Sequence, residues 1–197
     1  MEGTTPVNKK LAAALSGGAV LVLALSGCGG DDGNEELDNW AKSVCDAWQP
    51  QVDKIKAAND SIQKETSDDS KPEDVKRVDS KAFQDMSDAY KAMAQAVDKA
   101  GAPPVEDGKQ DEGDAVEELN AISASYADLK KQVDALDTKD QAKFAEGLRG
   151  VQASLDKINK SGTDALDKLQ SGEVADAMRG QESCKSAASP VPSSGKA

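Results

Sequence analysis

Chemistry in this 197-residue chain would have to come from three cysteines, a dense group of carboxylates and two tryptophans. The cysteines are Cys28, Cys45 and Cys184, and a thiol can carry an acyl group, close a disulfide or act as a thiolate nucleophile. Glu106, Asp107, Asp111, Glu112 and Asp114 form the densest acidic group. Calcium is the ion such a group would suit, since it takes roughly six to eight oxygens at short range. The residue order departs from that of an EF-hand loop, and Lys109 intrudes. A solvated interhelical loop is the better reading, so no metal is assigned and Asp107, Asp111, Glu112 and Asp114 stay as weak candidates. Trp40, Val44 and Trp48 recur at i, i+4 and i+8, one side of a helix. Trp is enriched in binding hot spots, which makes Trp40 and Trp48 the candidate interaction surface. Packing around Cys45 is the competing reading.

The chain has no histidine. That removes the commonest general base, the Ser–His and Cys–His nucleophile systems, and the commonest transition-metal ligand. No Gly-rich loop with a following Lys and Ser/Thr suggests phosphate binding. An enzyme would need convergent buried carboxylates, so neither an enzyme nor a cofactor is expected. The net charge is −12, and cleavage before Cys28 would remove Lys9, Lys10 and Glu2 to leave −13. Nucleic acid demands a basic surface, which excludes it as a partner. Anionic headgroups would repel the domain as well, so any membrane attachment must come from lipid.

The N-terminal segment supplies a place for that lipid. Lys9 and Lys10 precede an apolar run from Leu11 to Leu25, and the small pair Ser26-Gly27 then precedes Cys28. The three parts are those of a secretory signal, and the run is shorter than the ~20 apolar residues a membrane-spanning helix needs. Leu25-Ser26-Gly27-Cys28 resembles the lipobox of bacterial lipoproteins, in which the signal peptide is cut before a lipidated cysteine. The resemblance implies that residues 1–27 are a signal peptide and that Cys28 carries the acyl chains. The Ala/Asp/Gly/Val-rich composition, the stretch Asp98-Lys99-Ala100-Gly101-Ala102-Pro103-Pro104-Val105 and the late Cys184 are similar to the small secreted lipoproteins of actinobacteria. That likeness places the anchor in the outer leaflet of the cytoplasmic membrane of a Gram-positive cell and transfers no catalytic or ligand residue.

With Cys28 assigned to lipid, Cys45 and Cys184 remain. An even remainder in an exported chain reads as one disulfide. A reactive thiol would need a cationic neighbour or a histidine, whereas Asp46 follows Cys45.

The elements that must position these residues are helical. Leu37, Ala41, Val44, Trp48, Val52, Ile55, Ala58 and Ile62 recur at steps of three or four, with Asn34 as the expected N-cap and Pro50 as the site of a kink or brief break. A second stripe runs from Val75 to Ala100, entered at Pro72 and stopped by Gly101 and Pro103-Pro104. After the acidic loop 106–113 come Val116, Leu119, Ile122, Tyr126, Leu129, Val133 and Leu136. Thr138 and Gln141 have capping-box spacing before a fourth stripe of Phe144, Leu148, Val151, Leu155, Ile158, Ala165 and Leu169, weakened by Gly147, Gly150 and Gly162. Ser171 would cap a short fifth helix with Val174, Ala177 and Met178.

The expected fold is all-α: an antiparallel up-down four-helix bundle with a short C-terminal helix clamped by a disulfide. Residues 28–34 would be the lipidated cysteine and a flexible tether, 35–185 the bundle, and 186–197 a disordered Ser/Pro/Ala tail. An even number of long helices returns the chain to the anchored end, where the fifth segment can climb from Ser171 to bring Cys184 to Cys45. The expected function is that of a membrane-anchored extracytoplasmic lipoprotein, a non-enzymatic interaction or structural module engaging an envelope protein or cell-wall component. A helical bundle binding a small ligand or cation is the alternative, with a cavity lined by Met86, Met93 and Tyr126 as its signature.

Overall fold

Periodic apolar stripes become helices when several of them can share one core. The computed structural model describes residues 32–65, 70–161 and 171–185, all of them helices and short connections. The helices are α1 (Asp32–Glu65), α2 (Pro72–Ala100), α3 (Gly108–Asp134), α4 (Gln141–Ser161), α5 (Gly172–Gly180) and α6 (Glu182–Lys185). The fold is the all-α antiparallel bundle expected, with its C-terminal end clamped by a disulfide.

Side-chain contacts fix the up-down order. Trp40 and Trp48 of α1 reach Gly101, at the C-terminal cap of α2, and Met93 within it, so these helices are antiparallel. Ser80 and Ser87 of α2 reach Asp134 and Ser123 of α3 in the same sense. Ser154 of α4 reaches Gln132 of α3. The core lies chiefly among α1, α2 and α3, and α4 adds Phe144 and Val151 as its buried residues. Being the middle layer, α2 buries two adjoining stripes: Ala82, Met86, Ala89, Met93 and Val97 are joined by Phe83, Ser87 and Ala94. α5 and α6 pack on α1.

Several boundaries differ from the sequence reading. α1 starts at Asp32, so Asn34 is inside the helix and not its cap, and the expected tether ends earlier. Pro50 does not break α1, which runs through it for 34 residues. Pro50 and Asp46, whose carbonyl loses its helical donor, are both on the water-facing side. α3 starts at Gly108 and takes in the second half of the acidic loop. The cap of α4 is Asp140 and not Thr138: its Oδ1 accepts from the backbone N–H of Ala142 and Lys143, each at 3.1 Å. Asp140 is the residue directly before α4, whereas Thr138 stands too far back. The signal segment, Cys28, Gly162 and Thr163 of the expected break, Ala165, Leu169 and the tail 186–197 lie outside the described residues.

Two glycines permit close approach. A Cβ at Gly108 would stand 2.0 Å from the Pro103 carbonyl oxygen, so the α2–α3 turn closes only on glycine. A Cβ at Gly147 would meet Leu136 Cδ2 at 2.3 Å, so this glycine lets α4 pack on the end of the preceding connection.

Candidate functional site

Cys45 and Cys184 form the disulfide, with Cα atoms 5.1 Å apart and a sequence separation of 139. That Cα distance is within the range an unstrained bridge needs. Cys45 is fully buried on α1, and α6 brings Cys184 to it. Gln181 Nε2 donates to the Asp38 carbonyl at 3.4 Å, and the Ser183 hydroxyl bonds the Asp46 carboxylate. The Asp46 carboxyl is held below its usual value by its hydrogen bond from Lys42 and then by Ser183.

The tryptophans are not on the surface. Trp40 and Trp48 are 6% and 8% exposed, and both indoles donate inward, to Gly101 O at 2.7 Å and Met93 O at 3.1 Å. Their candidacy as an exposed interaction surface is therefore overturned in favour of packing around Cys45. The i, i+4, i+8 spacing placed them on one side of α1 correctly, but that side is the core side.

The acidic loop is likewise resolved into helix geometry. Asp107 stands at the start of α3 in the left-handed region, with φ 62°, and its carbonyl accepts from Gln110 and Asp111. Asp111, Glu112 and Asp114 then follow around the first turns of α3, where Asp111 and Asp114 share a face and Glu112 is turned about 100° from Asp111. Among the described residues no three carboxylates or cysteines converge as they would to hold a metal ion. Glu106 and Asp111 do share a surface cleft of about 290 Å³ with Ser171, Glu173 and Val174.

A wider groove, about 560 Å³, runs along the outside of α2 and α3. Its lining includes Lys76, Arg77, Lys81 and Lys130. Those cations are already engaged. Lys81 pairs with Asp85, Lys130 with Asp134 and Arg77 with Asp74, while Lys76 donates to the Leu136 carbonyl at 2.9 Å. The groove thus presents matched charges, not an uncompensated positive field that would draw an anion. The pairs are mostly exposed i,i+3 and i,i+4 contacts, each contributing about 0.3–0.5 kcal/mol at most.

The seam around Met86, Met93 and Tyr126 is filled by protein. Met86, Met93 and Tyr126 are buried, and the Tyr126 ring stacks on Tyr90 at 5.5 Å with 7° between planes. Burial raises both phenols, and for Tyr126 the neighbouring Tyr90 adds to the effect. The two clefts described above are lined by other residues.

One ionisable side chain that the sequence reading passed over is Asp79. It is 8% exposed, and its Oδ1 has no hydrogen-bond partner among the described residues. Burial, with the nearby Glu65 charge second, raises its carboxyl to about 6. Position alone could have flagged it, because it stands four residues from both Val75 and Phe83 on the buried side of α2.

No described helix is long and apolar enough to cross a membrane. Comparison with protein-family models, curated proteins and solved structures finds no match to the chain.

Proposed function

We propose that this chain is a membrane-anchored extracytoplasmic lipoprotein whose helical bundle serves as a non-enzymatic interaction or structural module of the cell envelope. The observation that carries the reading is Leu25-Ser26-Gly27-Cys28 at the end of a Lys-initiated apolar run. The Cys45–Cys184 bridge supports it, since disulfides persist in oxidising compartments. Stable anchoring takes two or more acyl chains, as a single chain binds membranes only marginally. With both tryptophans inside, the acidic outer faces are the surfaces left to meet an envelope protein or wall component. The alternative, a small ligand held in the bundle, finds little support where Tyr126 stacks on Tyr90 in a closed seam.

Metabolic acyl labelling with membrane fractionation tests the anchor. The native chain should take up label and sediment with membranes, and Cys28→Ala should take up no label and be either released or left as unprocessed precursor. Unchanged labelling of the mutant refutes the assignment. Crosslinking followed by affinity capture from detergent-solubilised envelope then asks whether the anchored bundle has a partner.

A further inference from the structure

We propose that the end of the bundle where α1 passes to α2 is a proton-operated joint, closed while Asp79 is neutral and loosened when Asp79 ionises, with the disulfide-clamped end staying shut. The first support is burial. Asp79 takes a place in the core of α2 beside Ala82 and Phe83, with one carboxylate oxygen lacking any partner among the described residues. An ionised carboxylate without compensating hydrogen bonds is costly in such surroundings, whereas the neutral acid is far less so.

The second support is what lies opposite. The antiparallel register that sets Trp40 against Gly101 and Trp48 against Met93 brings Ile62 level with Asp79 on α1. The registers linking Ser80 to Asp134 and Ser87 to Ser123 bracket the buried Val133 as the residue facing it from α3. Both neighbours are apolar.

The charges around it offer no rescue. From α1, Glu65 acts on Asp79 and repels its ionised form, while Lys64 is exposed. From α3, Lys130 and Asp134 pair with each other, and Asp134 also accepts from Ser80. From α2 itself, Lys76 is committed to the Leu136 carbonyl, and Arg77 pairs with Asp74. The connecting residues 66–69 lie outside the described residues. The other end of the bundle has the Cys45–Cys184 bond and both indole hydrogen bonds, so a weakening at Asp79 has a natural limit.

The sign follows from linkage. A carboxyl raised to about 6 in the folded chain, against about 3.9 when unfolded, binds more protons folded than unfolded between those values. Its neutral form favours folding below about pH 4, and that advantage disappears as pH rises through 6. Full-chain protein in detergent, denatured with urea at pH 4.5 to 7.5, should lose about 25-fold in its folded-to-unfolded ratio. Amide exchange, corrected for intrinsic rates, should accelerate in 58–65 and 72–83 and hold steady in 37–48. Asp79→Asn should remove both responses and raise the ratio at pH 7, and Glu65→Gln should move the transition to lower pH. Carbon-13 titration of the native Asp79 carboxyl provides a readout independent of any variant. Titration below about pH 4, an unaltered pH response in Asp79→Asn, or acceleration spread evenly along the helices would overturn the proposal.

Discussion

Ser87 and Ser123 hydrogen-bond each other's backbone carbonyl, both at 2.8 Å, across the α2–α3 interface. Their hydroxyl oxygens lie 3.2 Å apart, and both residues are buried. The pair joins two helices through side chains small enough to let the backbones come close, and it leaves neither hydroxyl unmet. A polar pair of this kind holds register, since sliding one helix against the other would strand two buried hydroxyls at once.

Replacing Ser87 by Ala should therefore cost about 1 kcal/mol, the usual net value of one hydrogen bond. Ser87→Leu should cost about 1–3 kcal/mol more, because the close interface has no room for the added carbons. A double-mutant cycle on the two serines should give a coupling of about 0.5 kcal/mol or more in urea denaturation. Equal tolerance of Ala and Leu would mean that the helices are not in close contact here.

Gly108 and Gly113 belong to the same helix and should respond in opposite directions to alanine. At Gly108 a methyl group collides with the Pro103 carbonyl, so Gly108→Ala should destabilise by about 1–3 kcal/mol. At Gly113 nothing lies within 4 Å, and Ala should stabilise α3 by up to about 1 kcal/mol through helix propensity. Thermal melts of the two variants, compared at one pH, decide the matter.

Native-state fluorescence should show both indoles in an apolar setting, with blue-shifted emission and weak quenching by iodide. Trp40→Phe and Trp48→Phe should each lose about 1–2 kcal/mol, because the Gly101 and Met93 carbonyls give up their indole donors. Water-like emission from the folded protein would restore the tryptophans to the surface.

Asp140 ties the start of α4 to pH. Backbone and side-chain hydrogen bonds from Lys143, with a further backbone bond from Ala142, hold its carboxyl below the usual range. Its support of the helix is thus present above about pH 4 and is lost as pH falls below that value. Amide exchange at residues 141–145 should accelerate on acidification from pH 5 to 3 in the native chain. In Asp140→Asn, which keeps a capping oxygen without a titrating charge, it should stay nearly flat.

The helices were legible in the sequence because burial follows periodicity. Of the α1 stripe, Leu37 through Ala58 are all buried, with Ile62 packed against the same core. Gly101 was legible as a terminator for a similar reason: its φ of 75° lies where side chains are disfavoured. The pairing of Cys45 with Cys184 came from the even remainder of cysteines once Cys28 was set aside, and an even number of long helices agreed with it. The less legible features depend on what lies across space. Asp140 competes with Thr138 for one cap, and only the first-turn N–H groups decide between them. Periodicity shows that Trp40 and Trp48 share a side with Val44, but not whether α2 covers that side. Asp79 shares the helix side of Val75 and Phe83, so its position was legible, but its missing hydrogen-bond partner was not.

The disulfide also determines how the folded chain would carry tension. A pull applied between Asp32 and Lys185 passes along the first turns of α1 to Cys45, crosses the sulfur–sulfur bond to Cys184, and leaves through α6. The chain between Cys45 and Cys184, containing most of the core, is shunted out of that path. Tugging at the two termini would leave α2, α3 and α4 unloaded, and a single backbone nick among them would still leave one covalent piece. Reduction changes this at a stroke: the same tug would then draw on the packing of α5 and α6 against α1.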